Sequence, residues 1–202
     1  MGMQAKIALP EIRGADDFNG AARRDRWPML CDPTCAFGHE GHRDLLALWR
    51  GVAGPGAIPY RRDFSARRLQ PFMKSIVLYE RLDGEDGGRR YRVRLMGGNI
   101  TPVLGELTGR FLDEAVSEKF LPRWCAMIDA TLGAGAPLRM LSRSDSFDKS
   151  YLVGEYFSAP LLTDDGAAKL VLACGHYEGA RSWTKLAAEE CSRLGIEPLG
   201  IV

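Results

Sequence analysis

From Arg89 to Glu114 the chain reads RRYRVRLMGGNITPVLGELTGRFLDE. Over its first half Tyr91, Val93 and Leu95 alternate with Arg90, Arg92 and Arg94. A period of two with one apolar and one charged face predicts a half-buried strand over 90–96. It ends at Gly97-Gly98, where glycine's tolerance of positive φ allows a sharp turn. Short helical pieces follow, broken by Pro102, Gly105 and Gly109.

The remaining pattern extends this reading in both directions. DLLALWRG puts Leu45, Leu48 and Trp49 on one face of a helix over 43–51. Ser65 reads as an N-cap, with Phe64 packing on Leu69 as a hydrophobic staple. Residues 75–81 form a strand that pairs with 90–96 through the glycine-bearing turn at 83–88. Pro122 suits a first helical turn; Trp124, Cys125, Ile128 and Leu132 recur at helical spacing, and Gly133 and Gly135 stop the helix. Three strands are predicted at 138–142, 151–162 and 169–177, the last two joined by Thr163-Asp-Asp-Gly166. A final helix from Ser182 to Leu194 carries Trp183, Leu186, Ala187, Cys191 and Leu194 on one face. This order implies an α+β domain with a single five-stranded sheet.

Composition narrows the class. With 46% hydrophobic and 26% charged residues and a net charge of +1, the chain gives no reason to expect nucleic acid as a partner. Arg61, Arg62, Arg67 and Arg68 read as a solvated helix start. No apolar run is long enough to cross a bilayer, and residues 1–20 lack a secretory signal. Five cysteines, an odd number, do not form a disulfide framework. The expectation is a cytoplasmic protein. Residues 1–42, rich in Gly, Asp, Arg and Pro, are expected to be an irregular arm. Within it, Cys31, Cys35, His39 and His42 are suitable zinc ligand types. They lack the dozen or more intervening residues with which structural zinc sites wrap the ion, so a loop is preferred to a metal site.

The element order is that of PAS domains, and the residues carry the likeness further. LLALWRG at 45–51, IPYRRDFSARRLQPFMKSIVLYE at 58–80, YRVRLMGGNITPVLGELTGRFLDE at 91–114 and EYFSAPLLTDDG…LVLACGHYE at 155–178 resemble a bacterial subfamily of small, stand-alone PAS proteins. Gly97-Gly98 stands where that family usually has Gly-Thr, and Glu106 where it has Asp. The resemblance implies a PAS fold with sheet order 2-1-5-4-3, helices on one face, and flanking N- and C-terminal helices. The PAS domain would span 43–180, with 181–202 as the C-terminal flank. It also implies a sensory module whose ligand sits between the helix near 122–132 and the inner sheet face.

The candidate ligand contacts are Tyr91, Val93, Leu95, Ile100, Leu104, Phe111, Trp124, Cys125, Ile128, Cys174 and His176. Trp49, Gly97, Gly105, Gly109 and Arg110 are candidate structural residues, Arg110 pairing with a carboxylate to pin helix against sheet. The thiols of Cys125 and Cys174 have no cation placed to activate them. His176 is the one candidate haem ligand or base on a strand, and residues 119–132 hold no histidine. Residues 97–112 lack the cysteine that flavin photochemistry in this fold requires. No cofactor is assigned. The 24 residues past Glu178 leave no effector domain, so a signal is expected to leave through a partner such as a histidine kinase, with a homodimer through the last helix as a further expectation. Three other readings stay open: a ligandless scaffold whose core is filled by Phe111, Trp124 and Met127; a haem or zinc sensor; and a small cupped-sheet enzyme. The scaffold requires a solid core, and the enzyme an Asp/His pair inside the cup.

Overall fold

Alternation and helical periodicity are realised along most of the chain, and a computed structural model describes residues 11–84, 88–144, 152–179 and 182–199. The tip of the turn at 85–87, the loop residues Asp145, Ser146 and Asp148, and the strand start at Tyr151 lie outside the described residues. Six antiparallel strands form one sheet: β1 (Met29–Asp32), β2 (Ile76–Asp83), β3 (Arg89–Met96), β4 (Leu138–Ser144), β5 (Leu152–Leu162) and β6 (Ala168–Glu178). Their order is β1-β4-β5-β6-β2-β3. Without β1, the remaining five follow the 2-1-5-4-3 order of a PAS sheet.

Over residues 11–42 the structure corrects the expectation of an irregular arm at 1–42, the part at 1–10 lying outside the described residues. Residues Ala15–Arg24 form helix α1, and β1 pairs with β4 from Met29↔Ser142 to Asp32↔Arg139. Asp16 and Asp17 in the first turn and Arg23 and Arg24 in the last suit the helix dipole. Asn19 joins the two elements: its side chain donates to the Cys31 carbonyl and accepts from the Cys31 N–H, both at 2.8 Å. The apolar face of α1 is mostly alanine, which weakens the periodic signal.

Helices cover both faces of the sheet, not one. On the inner face lie α4 (Thr101–Leu104), α5 (Leu112–Ala115) and α6 (Leu121–Ala134). The outer face is covered by α2 (Glu40–Ala53), the short α3 (Ala66–Leu69) and α7 (Trp183–Leu194). Leu45, Leu46 and Trp49 of α2 pack with Phe157, Leu161 and Leu172, and the Trp49 indole donates to the Pro160 carbonyl at 3.1 Å. The apolar stripe of α7 folds back: Trp183, Leu186, Ala187 and Cys191 are buried within the same chain.

Two glycines are needed for space, which alters the reading of both. Gly97 does not adopt positive φ; a Cβ there would lie 2.5 Å from the backbone of Met73 and Lys74. Gly133 lies inside α6, and a Cβ there would come within 2.6 Å of the Arg13 backbone. The helix ends at Gly135, which is left-handed with φ 62°.

Candidate functional site

The alternation of β3 is broken by a bulge. Leu78 pairs with Leu95 and Tyr79 with Val93, leaving Arg94 as the extra residue. Tyr91 and Val93 therefore face the inner core, whereas Leu95 joins the outer cluster, correcting its place among the pocket contacts. Cys174 and His176 are corrected in the same sense. Cys174 packs in the outer cluster, and His176 stacks on His39 with ring centroids 3.9 Å apart. Their neighbours Ala173, Gly175 and Tyr177 are the residues that turn inward.

Between α4, α6 and the inner sheet face lies a cavity of about 50 Å³. Leu104 of α4 and Ile100 just before it form one side, and Arg123, Trp124 and Met127 of α6 another. Met29, Val77, Tyr79 and Ala173 supply a largely apolar floor. The remaining wall carries Ser142, Arg143 and Ser144 of β4, Tyr156 of β5, and Gly175 and Tyr177 of β6. Ser142 and Ser144 belong to β4, which runs two residues beyond the expected 138–142. The Ser142 hydroxyl donates to the Tyr156 hydroxyl at 3.1 Å, and the Tyr156 and Tyr177 rings meet edge-on at 5.5 Å. Small residues make this room. A Cβ at Gly154 would lie 2.6 Å from the Tyr156 hydroxyl, and one at Gly175 would lie 3.1 Å from Ile100 and 3.2 Å from the Tyr156 ring.

Of the expected ligand contacts, Ile100, Leu104 and Trp124 line this cavity. Tyr91, Val93, Cys125 and Ile128 are buried in the core beside it. Tyr91 donates to Asp129 at 2.7 Å, and Asp129 also receives Arg89 at 2.7 Å and Arg81 at 3.4 Å. Phe111 lies at the start of α5 under the Arg90 guanidinium, 3.8 Å from its ring centre. Arg110 donates to the Glu114 carbonyl at 3.1 Å and thus caps a turn instead of pairing with a carboxylate. The main chain ties its loop to the sheet, with Gly109 N–H to Val93 at 2.7 Å and Val93 N–H to Arg110 at 2.9 Å. Gly105 and Gly109 both adopt φ of 80°. Arg123, the two serines and the two tyrosines are functional candidates that the sequence reading missed. The signal was the alternation Gly154-Tyr156-Ser158 and Ala173-Gly175-Tyr177, hidden behind the more conspicuous Cys174 and His176.

The outer face gathers charge. Arg139, only 5% exposed, meets Glu155 at 2.7 Å, Glu190 at 3.0 Å and Asp32 at 3.2 Å. Arg193 of α7 adds bonds to Asp32 and Glu190. Glu155 also accepts the N–H groups of Gly38 and His39, each at 2.9 Å, and lies 3.1 Å from Nδ1 of His42. Burial pushes the Glu155 carboxyl up, but the bonds from His42, Gly38, His39 and Arg139 outweigh it and hold it well below the usual carboxylate range. Burial, then the neighbouring His176 and His42, push the His39 imidazole below its ordinary value. Cys31 lies in β1 and Cys35 donates to the Pro137 carbonyl at 3.1 Å. Cys31, Cys35, His39 and His42 thus do not converge, and among the described residues no group of three His, Cys, Asp or Glu could hold a metal. Burial raises the Cys125 thiol and pushes the Cys174 thiol up to about 12.

No family model matches the chain, and no curated protein does. Among solved structures, the chain is similar to an RNA-binding light-oxygen-voltage receptor at 13% identity and a TM-score of 0.40, over 71% of this chain and 42% of that one. It is similar to a light-oxygen-voltage domain studied with a flavin analogue at 15% identity and a TM-score of 0.42, over 63% of this chain and 93% of the other. The light-state domain of the blue-light photoreceptor aureochrome1 gives 15% identity and a TM-score of 0.37, over 63% and 98%. The strand order, not these likenesses, carries the assignment of a PAS fold. No helix among the described residues is long and apolar enough to cross a membrane.

Proposed function

We propose that this chain is a sensory module of the PAS type, related to the bacterial stand-alone subfamily, that binds a small, largely apolar ligand and acts through a partner protein. The cavity between α6 and the inner sheet face carries this reading. A filled core would have favoured a scaffold. The ligand would bias the short helix α4 against α6, and the shift is limited by its differential affinity for the two arrangements. Residues 43–180 serve as the sensory domain, with α1, β1 and α7 as extensions packed onto it. A histidine kinase or another regulator is the class of partner we infer. A homodimer would use a surface other than the α7 stripe, which is packed inside its own chain.

The cupped-sheet enzyme loses its chemistry, because all three histidines lie on the outer face, away from the cavity. This placement supports the sensory reading over an enzymatic one. The modest cavity volume favours a ligandless scaffold as the second reading. Native mass spectrometry of the purified protein, with thermal shift against a metabolite panel, separates the two. The sensor reading expects a retained or added small molecule that raises the melting temperature. An apo protein with no shift against any metabolite favours the scaffold.

A further inference from the structure

The cavity has two kinds of wall. Val77, Ile100, Leu104, Met127 and Ala173 offer only apolar surface. Another part carries hydroxyls, from Ser142 and Ser144 of β4, Tyr156 of β5 and Tyr177 of β6. These hydroxyls are not equally engaged. Ser142 donates to Tyr156 at 3.1 Å. Ser144 is 6% exposed, and its Oγ is buried with no hydrogen-bond partner among the described residues. A buried hydroxyl without a partner is uncommon, and a hydroxyl proton that finds no acceptor leaves its loss of water uncompensated. An acceptor placed in the cavity would remove that cost. Burial, followed by the neighbouring Tyr156, holds the Tyr177 phenol well above its ordinary value, so it stays protonated and uncharged. The Arg123 guanidinium is already engaged: it stacks over the Phe120 ring, 4.5 Å from its centre, and makes a further interaction. Ser144 thus offers the cavity an uncharged donor.

Resting on the sensor reading above, we propose that the ligand is a small uncharged carbonyl compound whose oxygen accepts from the Ser144 hydroxyl. Its hydrocarbon body lies against Ile100, Leu104 and Met127. In an apolar site without a donor, a carbonyl gives up its bonds to water and receives nothing in return. The Ser144 hydroxyl returns one such bond and gains the partner it lacks. At roughly 12 Å³ for each water-sized site, a cavity of about 50 Å³ holds a ligand of a few non-hydrogen atoms before any side chain moves. The size class is therefore that of a short-chain ketone.

Methyl-resolved NMR titration of the full chain with butanone and cyclopentanone, each against the analogue in which a methylene group replaces the oxygen, tests this. The analogues keep the shape and remove the acceptor. A purely apolar cavity prefers the analogue, which has no bonds to water to give up. The expected result is that at least one ketone binds no more weakly than its analogue. Ser144→Ala should weaken that ketone about fivefold or more while leaving the analogue within about twofold. The wild-type ketone-to-analogue ratio stands even if the variant does not fold. Ketones that bind well below their analogues, or that lose nothing in Ser144→Ala, overturn the carbonyl assignment and leave the sensor reading intact. Butyrate asks whether Arg143 of the wall takes part instead, and butyrate binding tighter than butanone likewise overturns the uncharged class alone. If no ketone, analogue or acid binds, and xenon shifts no methyl resonance of Ile100, Leu104 or Val77, both readings fall. If xenon alone enters, the cavity accepts apolar guests and the carbonyl assignment is overturned.

Discussion

The two faces of the sheet treat polar groups in opposite ways. On the outer face every buried charge of the central network has partners: Arg139 meets three carboxylates, and Glu155 receives two backbone N–H groups, an imidazole and a guanidinium. On the inner face the Ser144 hydroxyl lies beside a cavity with no hydrogen-bond partner among the described residues. Paired charges favour a single arrangement, although His39 Nδ1 and His42 Nε2 on this face have no partner among the described residues. Incomplete satisfaction next to a cavity leaves a place where a ligand changes the energy. The outer face thus holds the frame, joining α2 and α7 through β1, β4 and β5, while the inner face keeps the capacity to respond.

The strongest way to break this contrast is Arg139→Met. It leaves Asp32, Glu155 and Glu190 together with only Arg193 and His42 nearby. Removing one partner of a buried ion pair typically costs about 3–5 kcal/mol, and urea unfolding at pH 7 should show a loss of that order. A loss below about 1 kcal/mol would mean that apolar packing alone holds α7 in place. The same network fixes the acid response. Asp32 and Glu155 are held below their ordinary values in the fold, so the unfolded chain takes up their protons first. Their contribution is complete above about pH 5 and is lost as pH falls through about 4 and below. His39 is also lowered, so the unfolded state gains its proton first below about pH 6.5, and a weaker decline begins there. Stability measured by urea titration from pH 8 to 3 should show both limbs in the native chain. In Arg139→Met the acid limb should flatten while the histidine limb persists.

Next in size is a comparison of two glycines. Gly97→Ala drives a Cβ into the Met73 and Lys74 backbone, which cannot yield, and a loss of about 1–3 kcal/mol is expected. Gly175→Ala meets only the Ile100 and Tyr156 side chains, at 3.1 and 3.2 Å. It should cost about 1 kcal/mol or less while filling part of the cavity and weakening ligand binding. Equal losses at the two sites would mean that the inner wall is as rigid as the strand end. These positions also mark what the sequence made legible. The hairpin, α2, α6 and α7 were readable because long periodic runs dominate their patterns, whereas the five-strand order came from the resemblance to PAS domains. The bulge at Arg94 was not, because an extra residue leaves no mark in composition yet moves Leu95 to the opposite face. The inward residues of β6 were missed because small Ala173 and Gly175 carry less chemical signal than Cys174 and His176. The arm at 11–42 was hidden because the buried face of α1 is largely alanine and β1 spans only four residues.

The smallest expected effect has the opposite sign. A buried hydroxyl without a partner carries a desolvation penalty of about 1–3 kcal/mol, so Ser144→Ala should stabilise the ligand-free chain by about 0.5–1 kcal/mol after the loss of packing around the removed oxygen. Arg139→Met and Ser144→Ala both remove a buried polar group, one from each face, and should therefore move the urea midpoint in opposite directions. A water bound to the Ser144 hydroxyl in solution would erase the gain, and a midpoint equal to wild type would identify it. A variant that is stabilised but no longer gains melting temperature from a ligand that stabilises the native chain would place the unsatisfied group and the ligand contact on the same atom, as expected when a site keeps local instability for the sake of its ligand.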